Sequence, residues 1–264
     1  MKVVIFCGGL GTRLKEETEF RPKPMVYVGD RPILWHIMKI YSNYGFNDFV
    51  LCLGYKGEVI KKYFLEYELL HNDFTLETGN KGKLSIHKQN EDLNWNITFA
   101  ETGADTLKGG RLKKVEKYID GDSFMITYGD GVADINIQDL LSFHQSHGRI
   151  GTVTGVRPPS LFGELLVEKQ EVVLFSEKPQ TSKGLINGGF FVFNRAIFDY
   201  LNESEDCDFE VGPLEELARD KQLMVYEHRG NWACMDTPRD MNYLNRLWAS
   251  GQAFWKTWKG SQEK

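Results

Sequence analysis

No run of about eighteen apolar residues occurs in the 264-residue chain, so no membrane-spanning helix is expected. The first residues enter an apolar segment without a basic leader, and a cytoplasmic protein is the expectation. Cysteine is sparse. Cys7, Cys52, Cys207 and Cys234 form no C-x-x-C pair, which reads as reduced thiols rather than a disulfide framework or a zinc site. The net charge is −5 with both signs mixed along the chain, so the basic stripe of a nucleic-acid groove is missing. The six histidines include no H-E-x-x-H; His144 and His147, three apart, read as a solvated helix face. No G-x-S-x-G elbow is present. No Pro-, Gly- or Ser-rich linker and no internal repeat divides the sequence, which predicts a single domain over 1–264.

What is present begins at once. The apolar run Lys2 to Cys7 meets Gly8-Gly9-Leu10-Gly11-Thr12-Arg13-Leu14. A strand ending in a glycine-rich turn offers bare backbone N–H groups to a phosphate chain, and a Cβ there would hold the phosphates off. This turn is neither the Walker loop, since it lacks G-K-S/T, nor the dinucleotide G-x-G-x-x-G. Arg13, and Lys23 within Arg21-Pro22-Lys23-Pro24, add fixed positive charge suited to anionic small molecules.

The first half of the chain alternates strand and helix. Helical spacing of Ile33, Ile37, Ile40, Tyr41 and Tyr44 follows Pro32 and stops at Gly45. Strands are predicted at 48–53, 123–128, 150–156 and 188–193, and helices at 56–70, 137–147, 212–220 and 240–250. This rhythm predicts an α/β fold: a mixed, mainly parallel sheet flanked by helices. Residues 72–98, with Leu84 to His87 and Trp95 to Phe99, read as a hairpin-bearing excursion. Residues 164–175 read as a second hairpin turning near Gln170.

In an open parallel sheet, ligands lie beyond the carboxyl ends of the strands. There the sequence puts the glycine loop and Tyr128-Gly129-Asp130-Gly131. A carboxylate facing a polyphosphate requires an intervening cation, and Mg²⁺ takes oxygen ligands from both. Asp130 equally suits an ordinary G-D-G turn. Asp236, in Trp232-Ala233-Cys234-Met235-Asp236-Thr237, suits either a second metal ligand or a helix cap. Glu177 and Lys178 read as a sugar-phosphate pair or an exposed charged turn before Pro179. Asn187-Gly188-Gly189 reads as backbone for a sugar or as a tight turn. Gly109-Gly110 would let a base or ribose approach, and Arg111 meets a phosphate or stays solvated. Trp248, Trp255 and Trp258 read as packing or a subunit contact.

Together, G-G-x-G-T-R-L, R-P-K-P, G-D-G, E-K-P, N-G-G and W-x-x-x-D-T resemble the sugar-1-phosphate nucleotidyltransferases over nearly the whole chain. The segments Thr106 to Leu112, Thr127 to Asp134, Leu185 to Phe191 and Trp255 to Trp258 are similar to the members that use CTP and glucose 1-phosphate. The resemblance implies a Rossmann-like nucleotidyltransferase fold, formation of CDP-glucose and pyrophosphate, Mg²⁺, a homohexamer and a place in O-antigen synthesis. It implies that Phe6, Cys7, Gly8, Gly9, Leu10, Gly11, Thr12, Arg13, Lys23, Thr106, Arg111 and Gly129 bind the nucleotide. Arg13 and Lys23 would be catalytic. Glu177, Lys178, Asn187 and Gly188 would hold the sugar phosphate, and Asp130 and Asp236 the metal. Cys7 stands where many relatives have alanine. The alternatives are a uridylyl- or thymidylyltransferase, a non-catalytic nucleotide-sugar-binding subunit, and a glycosyltransferase, for which the D-x-D pattern is missing after Asp130.

Overall fold

The computed structural model describes residues 1–79, 82–87, 93–158, 164–168, 170–176 and 184–258. Its centre is a seven-stranded sheet. In chain order the strands are β1 (Lys2–Phe6), β2 (Asp48–Leu53), β3 (Asn96–Glu101), β4 (Ser123–Tyr128), β5 (Gly151–Val156), β6 (Ile186–Asn194) and β7 (Leu223–Glu227). Across the sheet the order is β7-β5-β6-β4-β1-β2-β3. The β4-β1-β2-β3 block and the β5-β7 pair are parallel, whereas β6 runs antiparallel to both its neighbours.

The sheet is covered on both faces because its apolar runs alternate between them. Val3 and Ile5 belong to a core built with the Ile33–Ser42 helix and the C-terminal tryptophans. Val4 and Phe6 belong to another with Phe124, Phe191, Phe193 and Phe209. Each aliphatic side chain so buried contributes roughly 1.5–3 kcal/mol before entropy is counted. Among the described residues no helix is long and apolar enough to cross a membrane.

Several local expectations change. Trp95 to Phe99 does not join the excursion. The strand that starts at Asn96 pairs in parallel with β2 as the sheet's edge, leaving Asp73–Glu77 and Lys83–His87 as the hairpin. The 56–70 segment is two helices, Gly57–Leu65 and Tyr67–His71. The 212–220 helix is an irregular turn, with φ +103° at Gly212, followed by Glu215–Arg219. His144 is buried rather than solvated: its Nε2–H donates to Asn194 Oδ1 (3.0 Å), and its Nδ1 shares a hydrogen bond with Thr152 Oγ1 (2.9 Å). Cys7, Cys52, Cys207 and Cys234 are free. The hairpin at Glu164–Glu168 and Glu171–Ser176 turns through Gln170, at φ +73°.

Candidate active site

Registers Phe6↔Cys52, Phe6↔Tyr128 and Cys52↔Ala100 bring the carboxyl ends of four parallel strands level. The loops that leave those ends surround a cleft of about 560 Å³. Sheet topology alone therefore gathers the glycine loop, residues 102–106 and Gly129-Asp130.

The glycine loop is held from below. Arg111, buried on the Lys108–Lys114 helix, donates to the carbonyls of Leu53, Gly103, Gly8 and Ala104 and to Thr102 Oγ1, at 2.7–3.1 Å. All five of these acceptors are neutral, and burial first of all lowers the Arg111 pKa while the nearby Asp105 charge works against that. A Cβ on Gly8 would lie 2.1 Å from the Arg111 guanidinium. Gly8 is bare for its own protein's arginine as much as for a ligand. Gly9 has open space around it, and Gly11 adopts φ +64°. The expectation for Gly109-Gly110 is corrected: their missing Cβ atoms make room for the carbonyls of Asp208 and Ser204, not for a base or ribose.

Lys23 reaches the cleft from a short helical turn in which Pro24 and Met25 are buried. Gly129 permits this, because a Cβ there would meet Pro24 at 2.8 Å. The Lys23 ammonium lies 2.6 Å from Asp130 Oδ2 and 2.5 Å from Asp236 Oδ1. Arg13 Nη1 lies 3.0 Å from Asp236 Oδ2. Burial works against the ammonium of Lys23, yet the Asp130 charge and both carboxylate hydrogen bonds raise its pKa overall. Burial likewise opposes ionisation of Asp236, but Lys23 and then Arg13 hold it below the usual carboxylate range.

The two aspartates meet because Gly131–Ala133 and Trp232–Cys234 form a small antiparallel ladder, with Cys234 opposite Gly131. Met235 N donates to the Asp130 carbonyl at 2.9 Å and extends it. Asp236 is not the helix cap: Thr237 caps the Pro238–Ala249 helix in a capping box with Asp240. Ligating atoms of Asp130, Cys234 and Asp236 lie within 4.8 Å of one another. Burial and then the Asp130 charge push the Cys234 thiol up, so it remains protonated. The hard donors there are the carboxylates.

Phe6, Cys7, Gly8, Gly9, Gly11, Thr12, Arg13, Lys23, Thr106, Arg111, Gly129, Asp130, Asn187 and Asp236 all line the cleft. Leu10 is exposed beside it. Gly188 is buried next to Asn187, its carbonyl accepting from Trp232 Nε1 at 2.8 Å. Glu177 and Lys178 lie outside the described residues. Sequence reasoning missed Lys108, Tyr128, Trp232 and Cys234 as lining residues. Tyr128 and Trp232 do flank recognised motifs. For Lys108, the neighbouring glycines were the available signal.

The family model for nucleotidyl transferases matches residues 2–248. The chain belongs to the nucleotidyl transferase family. A Bacillus subtilis relative named "Probable glucose-1-phosphate cytidylyltransferase" is 50% identical over 98% of this chain and 100% of its own length. The Salmonella typhi "Glucose-1-phosphate cytidylyltransferase" is 48% identical over 98% of this chain and 100% of its own. Among solved structures, HddC from Yersinia pseudotuberculosis has a TM-score of 0.67 at 22% identity, covering 94% of this chain and 99% of that one. The inositol-1-phosphate CTP transferase from T. maritima has a TM-score of 0.66 at 13% identity, covering 98% and 97%. These structural likenesses carry the nucleotidyl transferase fold, a mixed, mostly parallel sheet flanked by helices.

Proposed function

We propose that this nucleotidyl transferase moves the cytidylyl group of CTP onto α-D-glucose 1-phosphate, giving CDP-glucose and pyrophosphate. The observation that carries the reading is the near-half identity, along the full length, to relatives named for that reaction. The cleft is chemically suited to it. Two polyanions must be held together, so the barrier is electrostatic and positional, and no protein nucleophile is needed. An oxygen of the sugar phosphate attacks the α-phosphorus in line, and the bond to the pyrophosphate oxygen breaks. Lys23 steadies the α-phosphate, Arg13 the departing pyrophosphate, and Lys178 the attacking phosphate. The glycine-loop amides, with the Arg111 charge beneath them, receive the nucleotide phosphates.

Asp130 and Asp236 fit Mg²⁺, since both offer carboxylate oxygens at a place already occupied by positive charge, the Lys23 ammonium. When bound there, Mg²⁺ supplies charge neutralisation at the reacting phosphates. We also read the protein as a cytoplasmic homo-oligomer, hexameric by family resemblance. The Asp73–Glu77/Lys83–His87 hairpin supports assembly. Phe74, Leu76 and Leu84 are exposed on it, with Phe74 opposite Ile86 and Leu76 opposite Leu84. An isolated two-stranded hairpin is marginal in water and gains from a partner.

The test is pyrophosphate release over a matrix of nucleotides and sugar 1-phosphates, with and without Mg²⁺. CTP with glucose 1-phosphate should be the fastest pair and should need the metal. A faster rate with UTP or dTTP overturns the base assignment. Light scattering on the wild type and a Phe74→Ser/Leu84→Ser variant tests assembly.

A further inference from the structure

The cleft carries a second charged array, built around Lys108 rather than Lys23. Lys108, at the start of its helix, points into the cleft and pairs with Glu210. Its ammonium lies 4.9 Å from the centre of the Tyr128 ring. The Tyr128 hydroxyl donates to the same Glu210 oxygen at 2.6 Å and accepts from Asn187 Nδ2 at 2.9 Å. Asn187 Oδ1 in turn accepts from Gly189 N at 2.9 Å. Burial, then the Glu210 charge, raises the Tyr128 pKa, so the phenol keeps its proton and its direction. Glu210 is fixed in turn, because Asp208 Oδ1 accepts from the N–H groups of Glu210 and Val211 at 2.8 and 3.1 Å.

Such an array is more than a structural tie. Glu210 neutralises Lys108, so what the ammonium brings to the cleft is directed N–H groups rather than net charge. An ammonium has three N–H donors, and among the described residues the hydrogen bond of Lys108 goes to Glu210. Lys108 shares the cleft with Leu107 and the indole of Trp232. An apolar and aromatic surface beside a donor suits a pyranose, which has C–H faces and hydroxyl edges. The array is wired to Asn187 at the start of β6, next to Gly188, whose carbonyl accepts from Trp232 Nε1.

We propose that Lys108, aimed by Glu210 and seated on Tyr128, contacts the substrate by donating to a hydroxyl of the sugar and so reads that hydroxyl's presence. This deepens, and rests on, the sugar-1-phosphate reading of the cleft. Lys108 is a substrate-binding residue; Glu210 is a positioning residue.

The experiment measures steady-state kinetics of wild type, Lys108→Met and Glu210→Gln with glucose 1-phosphate and each of its monodeoxy analogues. Calorimetric binding of the same sugar phosphates is measured in parallel. Lys108→Met should raise KM for glucose 1-phosphate by about 10- to 100-fold, the effect of losing a charge-assisted hydrogen bond. KM for CTP should stay unchanged. One monodeoxy analogue, discriminated against by the wild type, should become equivalent to glucose 1-phosphate in the variant. Glu210→Gln should shift in the same direction by less. A variant that weakens all analogues equally, that moves KM for CTP instead, or that changes neither overturns the proposal. If the wild type does not turn over CTP with glucose 1-phosphate, the reaction assignment fails separately. Calorimetry with a panel of sugar 1-phosphates then decides. Binding lost in Lys108→Met supports the role, while equal binding, or none to the wild type, overturns it.

Discussion

Arg111 Nη2 donates to the carbonyl oxygen of Gly8 at 3.1 Å, tying the Lys108–Lys114 helix to the glycine loop at the mouth of the candidate cleft. The same guanidinium holds Leu53, Gly103 and Ala104. Arg111→Met removes five hydrogen bonds and strands buried acceptors. It should lower stability by about 3 kcal/mol or more, read from urea unfolding. Nucleotide affinity should fall as well, because the Gly8 and 103–104 loops lose their shared anchor. Unfolding superimposable on wild type would show that water replaces the arginine.

Removal of one fixed charge from the proposed reacting centre should leave the fold intact. Arg13 is 70% exposed in its side chain, and Asp130→Asn keeps its shape. Each variant should lose ~10² to 10³ in turnover, measured by pyrophosphate release, with an unchanged circular dichroism spectrum. Wild-type turnover in either one removes that residue from the mechanism.

Asp134 governs a loop rather than a ligand. It accepts from His228 Nε2 (2.9 Å), Asn231 N (2.8 Å) and Asn231 Nδ2 (2.9 Å). Beyond that loop the chain delivers Trp232, Cys234 and Asp236 to the cleft. Asp134→Ala should raise the Mg²⁺ concentration for half-maximal activity several-fold, with a smaller drop in turnover at saturating metal. A Mg²⁺ titration reads both, and a variant with wild-type metal dependence would separate the loop from the site.

Acid should loosen the C-terminal tryptophan cluster through His36. Its Nε2–H donates to the Val28 carbonyl at 2.9 Å, and its Nδ1 accepts from Trp255 Nε1 at 3.3 Å. Burial first of all lowers its pKa from 6.5 to about 4. Below pH 6.5 the unfolded chain takes up a proton that the folded one refuses. The stabilisation is therefore complete above pH 6.5 and declines as pH falls towards 4, by about 3 kcal/mol. Unfolding midpoints at several pH values should show this slope in the wild type, and a His36→Gln variant should flatten it.

Much of the fold was legible because its determinants are local. Helical spacing from Ile33 and the stop at Gly45, with φ +84°, act within a few turns. Trp95 to Phe99 was misplaced because its partner, β2, lies far away in sequence. Polar residues around it look the same at a sheet edge as in a loop. The burial of His144 escapes a helix-face reading because the Thr152 and Asn194 groups that satisfy it lie on β5 and β6, outside its own helix.

By itself, the sequence determined which chemistries could be housed here. Glycines at a strand end offer backbone freedom wherever they stand, and Arg13, Lys23, Asp130 and Asp236 are residue types that carry charge at neutral pH in water. Tertiary structure alone decided how they combine. It set Lys23 between the two aspartates, spent Arg111 on five neutral oxygens, and wired Lys108 to Tyr128 through Glu210. Those pairings join residues far apart in the chain, and electrostatic and hydrogen-bond energies depend on distances that only the packed sheet and its loops fix.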